Sequence, residues 1–320
     1  MANMKIIITD YWYDSLENEK RVIGEYGYTL EDYQCKNEDA LVEIVKDADA
    51  IICQFAPITK KVIDSMEKCK AIIRYAIGVD NIDVAAATEK GIYVCNVPDY
   101  CIDEVSNHAI ALLLTLIRKL QPMSWSVREG TWNYIIGKPM HRTAGSTLGF
   151  IGLGRIPALI VKKMQGFDME MLCYDPYVDE DRARQVGVKL VDLETLLKKS
   201  DYITVNCPLN DKTRYMIDAK AFDMMKNTAI IINTARGGVI CEKDLIDALQ
   251  HGKIAAAGLD VTEKEPIDPS NPLLTMNNVI VTPHMAWYTE EAVQTLQRMV
   301  AEEAVRVLGG QRPKNPVNSI

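Results

Sequence analysis

Apolar positions fall in short runs separated by amphipathic stretches along nearly the whole chain. "KIIIT" (5–9), "AIIC" (50–53), "AIIRY" (71–75) and "IYVCNV" (92–97) have strand length, with helical spacing between them. An apolar run without polar alternation suits a strand covered on both faces, so the pattern predicts a parallel sheet flanked by helices. "IDEVSNHAIALLLTLIRKL" (102–120) predicts one long helix, with acids at its start and cations at its end as the helix dipole favours. The polar "REGTWNYIIGKPMHRTAG" (128–145) reads as a crossing between two units. A second β–α series opens at "TLGFIGLG" and continues through "MEMLCYD" (169–175), "VKLV" (188–191), "YITVNC" (202–207), "AIIINTA" (229–235), "AAAGLDV" (255–261) and "NVIVTP" (278–283). A helix over 289–310 and a proline-containing tail close the chain.

A length of 320 residues accommodates about two domains. The net charge of −8, with no Lys/Arg run, argues against a nucleic-acid partner. The longest apolar stretch, "AIALLLTLI" (109–117), is too short to span a bilayer, and "MANMKIIITD" meets an acid too early for a signal peptide. A cytoplasmic protein with no membrane partner is expected. Eight cysteines are scattered without a C-x-x-C pair or histidine at ligand spacing. They read as small buried hydrophobes, and no metal site is expected.

The stretch "FIGLGRIPALI" (150–160) departs by one letter from a dinucleotide loop. Gly152 and Gly154 stand where G-x-G-x-x-G requires them, and Pro157 takes the third place. The first glycine permits the tight turn and the second lets backbone approach a pyrophosphate at a helix N-terminus. Proline suits a first helical turn, where its missing N–H is not needed. Asp175 follows Gly154 by 21 positions at the end of the next strand. A carboxylate there accepts ribose hydroxyls and repels a 2′-phosphate, which selects NAD over NADP.

Three further stretches, "NTARGGVI" (233–240), "GLDVTEKEP" (258–266) and "VTPHMAWY" (281–288), place polar residues just past apolar strands. Ligands of open α/β sheets bind in that crevice, so Arg236, Glu265 and His284 are candidates for convergence. Singly, each also fits an ordinary surface or loop residue.

Together with "RYAIGVDNID" (74–83) and "GLGRI", these motifs resemble the D-isomer-specific 2-hydroxyacid dehydrogenases over nearly the whole chain. "TPHMAWY" is most similar to the branch containing the C-terminal-binding proteins. The resemblance implies an α/β protein of two doubly wound parallel-sheet domains with an active-site cleft between them. One is a flavodoxin-like substrate domain (1–101 and 289–320), the other a Rossmann NAD domain (102–288). It implies a homodimer and a 2-keto or 2-hydroxy acid as small-molecule partner. Arg236 would clamp the substrate with its planar fork. His284 would be the acid in reduction and the base in oxidation. Glu265 would orient the His284 ring and raise its pKa. Backbone N–H groups of Ala76, Ile77 and Gly78 would meet the substrate carboxylate, with Tyr75, Tyr100 and Trp287 as apolar neighbours. The cofactor, NAD, would contact Gly152, Gly154, Arg155, Ile156, Asp175, Cys207, Pro208, Thr213, Thr234, Ala235, Arg236, Asp260 and His284.

Two alternatives stay open. A C-terminal-binding-protein-like scaffold would keep the same Arg/Glu/His set. The 3-phosphoglycerate dehydrogenase branch has an Arg-Ser segment where this chain has Gln54 and Phe55, and no C-terminal regulatory domain is expected, so phosphoglycerate is disfavoured.

Overall fold

The computed structural model describes residues 4–320, and these divide into two compact units. The first runs through Cys101 and resumes at Tyr288–Ile320; the second is Ile102–Trp287. In the first, β1 (Lys5–Ile8), α1 (Glu17–Gly24), β2 (Thr29–Asp32), α2 (Glu38–Val45), β3 (Ala50–Cys53), α3 (Lys60–Ser65), β4 (Ala71–Arg74), α4 (Val84–Glu89) and β5 (Tyr93–Cys95) alternate. The strands form a parallel sheet ordered β2-β1-β3-β4-β5, the flavodoxin-like arrangement. Strand alternation explains its two cores. Ile6 and Ile8 pack on one face and Ile7 on the other. The apolar runs mark four of the five strands. They miss β2, whose edge position leaves "TLED" half-exposed, so no buried run announces it.

A buried carboxylate ties two strands together at the carboxyl end of this sheet. Asp10, just past β1, accepts N–H bonds from Gln54 at 3.0 Å, Phe55 at 2.7 Å and Ala56 at 3.1 Å. The loop after β3 is therefore held to the end of β1.

The second unit begins with α5 (Ile102–Ile117) and α6 (Leu120–Arg128). The continuous helix expected over 102–120 breaks at Lys119, which is left-handed with φ 48°. Pro122 supplies the reason. In an unbroken helix its ring would press on the Arg118 carbonyl, whereas the first turn of a new helix tolerates it. Residues 128–145 lie within this unit and do not form a crossing between units. Then come β6 (Thr147–Ile151), α7 (Arg155–Met164), β7 (Glu170–Tyr174), α8 (Glu180–Val186), β8 (Lys189–Leu190), α9 (Leu193–Lys199), β9 (Tyr202–Val205), α10 (Ala219–Met224), β10 (Ile230–Asn233), α11 (Glu242–Gln250), β11 (Ala256–Leu259) and β12 (Val279–Val281). Their parallel sheet is ordered β12-β11-β10-β9-β6-β7-β8. Counted from β6, that is the Rossmann order, with a switch point between β6 and β9. The last helix, α12 (Glu290–Leu308), packs in the first unit on α1, β3 and β4. Among the described residues, no helix is long and apolar enough to cross a membrane.

Asp10→Ala removes the shared acceptor of three backbone N–H groups. The expected loss is about 3 kcal/mol of stability, from polar groups left unpaired inside the fold. It would be read as a lowered melting temperature, and an unchanged one would refute the anchor.

Candidate active site

The glycine loop follows β6. Gly152 has φ +95°, and a Cβ there would come within 3.1 Å of the Asn206 and Cys207 backbone. Only glycine lets the turn approach the loop after β9 so closely. Gly154 caps α7, with exposed Arg155 and half-buried Ile156 opening the helix. Pro157 is buried in the first turn, and the first helical bond runs from Ala158 N–H to the Gly154 carbonyl at 3.2 Å. The proline thus stands where no N–H partner is required. Asp175 accepts Leu153 N–H at 2.8 Å on Oδ2 and Tyr177 N–H at 2.9 Å on Oδ1. Each oxygen keeps a further lone pair.

Beyond the switch point, Cys207 is half-buried and Pro208 exposed. Burial pushes the Cys207 thiol up to about 11, which leaves it protonated at neutral pH. Thr213, an expected cofactor contact, has its hydroxyl engaged within this loop. It is buried, and its hydroxyl donates to the Pro208 carbonyl at 2.6 Å while accepting Asn210 N–H at 2.8 Å. Its bonds shape the loop from within.

The ends of β10, β11 and β12 bring the other candidates together. Buried Asn233 accepts Ala235 N–H at 3.0 Å and donates to the Arg236 carbonyl at 2.9 Å, which fixes the turn carrying Thr234, Ala235 and Arg236. At Gly237 a Cβ would lie 2.0 Å from the Thr262 carbonyl oxygen, so this turn lies directly against the one after β11. There Glu265 accepts Thr262 N–H at 3.2 Å, and its Oε2 is 2.7 Å from His284 Nδ1. Burial pushes the Glu265 carboxyl up. The His284 bond and charge, the Thr262 N–H and the Arg236 charge outweigh it, and the group sits below its ordinary value. Arg236 therefore acts electrically on the pair. His284 has φ +52°, a strained conformation for a side chain with a Cβ. Its N–H donates to the Asp260 carbonyl at 2.9 Å, and its own carbonyl accepts the Trp287 indole N–H at 2.9 Å. The indole is thus a strut of the turn.

In the first unit, Ala76, Ile77 and Gly78 follow β4 and are half-buried, as is Tyr100, whose hydroxyl burial pushes well up. Tyr75 does not offer the expected pocket wall. Its ring is 2 % exposed in the core, and its hydroxyl donates to Glu19 at 2.7 Å. Gln54 is likewise structural, accepting Trp12 N–H at 2.8 Å and donating to the Tyr13 hydroxyl at 3.2 Å. Phe55 is exposed and packs on Trp12, with Lys36 Nζ 5.0 Å from the Phe55 ring centre.

The family described as "D-isomer specific 2-hydroxyacid dehydrogenase, NAD binding domain" matches residues 110–286. A glyoxylate reductase of Korarchaeum cryptofilum is 40 % identical over 287 residues, 88 % of this chain and 86 % of the reductase. The chain belongs to the D-isomer-specific 2-hydroxyacid dehydrogenases. Another relative, a D-3-phosphoglycerate dehydrogenase of Methanocaldococcus jannaschii, is 42 % identical over 317 residues. That alignment takes in 98 % of this chain, which spans only 59 % of the archaeal enzyme. The crystal structure of D-lactate dehydrogenase from Aquifex aeolicus complexed with NAD and lactic acid superposes with a TM-score of 0.89 at 27 % identity, covering 98 % of this chain and 99 % of that one.

A member of this family needs a dinucleotide site, and the second unit fits one. The His284 turn and Asp175 stand five strand steps apart on one sheet edge, about 24 Å at ordinary strand spacing. Between them lies the glycine loop, and a Cβ at Gly154 would meet nothing within 4 Å. Asn233, Thr282 and His108 also belong to this cluster and are not singled out by the sequence motifs. Only His108 carries a signal, a lone imidazole directly before the apolar run of α5.

Gly154→Ala is predicted to melt with the parent protein, because the fold leaves room for the methyl group. It should weaken NADH binding about tenfold, or ~1.4 kcal/mol, by standing where the pyrophosphate approaches. Fluorescence titration with NADH decides, and unchanged affinity would remove the loop from the cofactor site.

Proposed function

We propose that this protein interconverts unphosphorylated 2-keto acids and D-2-hydroxy acids with NAD(H). The observation that carries the reading is the 2.7 Å His284–Glu265 pair under the charge of Arg236. NADH, when bound, supplies the hydride. Arg236 holds the substrate through its planar, permanently charged fork. Glu265 occupies Nδ1 of His284, which leaves Nε2 to give a proton to the carbonyl oxygen in reduction and to take one back in oxidation. Backbone N–H groups of Ala76–Gly78 receive the substrate carboxylate, which makes the first unit the substrate-binding domain. Asp175 meets the adenosine ribose and disfavours a 2′-phosphate.

Gln54 and Phe55 argue against a phosphorylated substrate, since neither offers the charge that offsets a buried phosphate. A second reading as 3-phosphoglycerate dehydrogenase draws on Lys36 beside Phe55 and on the 42 % identical archaeal relative. Turnover of glyoxylate, pyruvate, 2-ketobutyrate, 4-methylthio-2-oxobutyrate and phosphohydroxypyruvate, with NADH and NADPH, tests both. A lead for the phosphorylated compound would overturn the first.

We also propose a homodimer, formed through Trp125, Trp132, Tyr134, Ile135 and Ile136. All five are exposed in the second unit, Trp132 at 89 %, and a second copy would cover this apolar set. Eight free cysteines support a cytoplasmic location.

His284→Gln should lower kcat by roughly 100-fold or more while NADH affinity holds, because the ring acts on the chemical step. Near-normal kcat would refute the assignment. Glu265→Gln removes the negative partner of the imidazolium, so the rate of reduction should fall off at a lower pH. For the assembly, light scattering at micromolar concentration should give the mass of a dimer, and Trp132→Glu with Ile136→Glu should shift it towards monomer. A monomeric parent protein would end that proposal.

A further inference from the structure

The Asp260 carboxylate is 1 % exposed and accepts from three donors. Oδ1 accepts the Thr282 hydroxyl at 2.6 Å and Met285 N–H at 2.9 Å, and Oδ2 accepts Ala286 N–H at 2.9 Å. Its backbone carbonyl accepts His284 N–H at 2.9 Å. One residue thus grips the left-handed turn on both sides of His284. Such a conformation persists only where its surroundings over-determine it.

His108 stands behind this set, on α5. Its Nε2 lies 3.0 Å from Thr282 Oγ1 and 3.5 Å from Asp260 Oδ1. The single hydroxyl proton of Thr282 is committed to Asp260, so Oγ1 meets His108 as an acceptor. Nε2 therefore carries a hydrogen whether the ring is neutral or charged. The histidine is brought there by a rigid element. His108, Leu112 and Leu116 recur at four-residue spacing on one face of α5. A Cβ at Gly258 of β11 would lie 3.1 Å from Leu116 Cδ1 and 3.2 Å from Leu112 Cβ, so the bare glycine lets the helix settle close on the strand that ends in Asp260.

We propose that His108 is a positioning residue for the reaction. Through Thr282 it fixes the Asp260 carboxylate, and through Asp260 it fixes the turn that presents His284. With the donor from His108 in place, the Thr282 hydroxyl has one orientation, accepting from the imidazole and giving its proton to Asp260. Without it Oγ1 loses its donor, the hydroxyl and carboxylate are held only by each other, and the acceptor of the Met285 and Ala286 amides is less firmly placed. This inference rests on His284 being the proton donor.

The test pairs hydrogen–deuterium exchange of the cofactor-free protein with steady-state kinetics for His108→Leu, His108→Gln and Thr282→Val. The Leu and Val variants should exchange faster over residues 282–288, with α5 still protected. Their kcat should fall about tenfold with little change in KM, the effect of a displaced catalytic group. Gln keeps an N–H near the place of Nε2 and should restore both readouts. Thr282→Val carries the test should His108→Leu fail to fold. Unchanged exchange over 282–288, or a Gln variant as impaired as Leu, would overturn the proposal. Faster exchange with kcat unmoved would also overturn the positioning role, and His284→Gln assayed alongside would show whether the acid assignment had failed instead.

Discussion

A carboxylate taken out of water is costly unless donors surround it, and that requirement organises the reaction end of the second unit. Asp260 meets it with a hydroxyl and two backbone N–H groups, all drawn from the segment after β12. The bonds that compensate the buried charge are therefore the same bonds that shape the His284 turn. The Glu265–His284 contact, and the reach of the Arg236 charge to it, presuppose that geometry. Asp10 and Asp175 repeat the device at other strand ends, each using a carboxylate to hold neighbouring loop backbone. Parallel strands leave their carboxyl ends facing loops of irregular backbone, and aspartate satisfies several loop N–H groups at once.

The core strands were legible because burial on both faces writes an unbroken apolar run. β2 was not, since an edge strand has one half-exposed side and needs no such run. The break between α5 and α6 was also legible in principle, from Pro122 just beyond the stretch that read as one helix. That Arg236, Glu265 and His284 come together at strand ends was legible because their residue types stand in short motifs just past apolar strands. Tyr75 was misjudged through its side-chain direction. It shares strand parity with Ile73, and both point into one core. Thr213 and Gln54 illustrate a different limit. A polar side chain beside a site can spend its bonds on its own or a neighbouring loop, and no local sequence pattern distinguishes that from ligand contact.

Membership of the 2-hydroxyacid dehydrogenases constrains the chemistry more tightly than the substrate. On the proposed reading the second unit contributes acid, charge clamp and dinucleotide site from one sheet, and these serve any 2-keto acid alike. Selectivity must come from groups that meet the rest of the molecule. In the first unit the exposed Phe55, Trp12 and Lys36 form a surface both aromatic and cationic. Its position on a loop pinned by Asp10 gives it a rigid base, while its side chains are free to vary without disturbing the sheet.

Gly258 has a consequence for how such a sequence can drift. Its missing side chain sets the spacing between α5 and β11. A Cβ there would stand 2.8 Å from Ile232 Cδ1 as well as 3.1 Å from Leu116 Cδ1 and 3.2 Å from Leu112 Cβ. A larger residue therefore needs smaller partners at 232 and 116 or an outward step of the helix, and that step carries His108 away from Thr282. Positions with no chemistry of their own are thus bound into the inheritance of the site, and changes among 116, 232 and 258 would be tolerated as matched sets and purged when they arise singly.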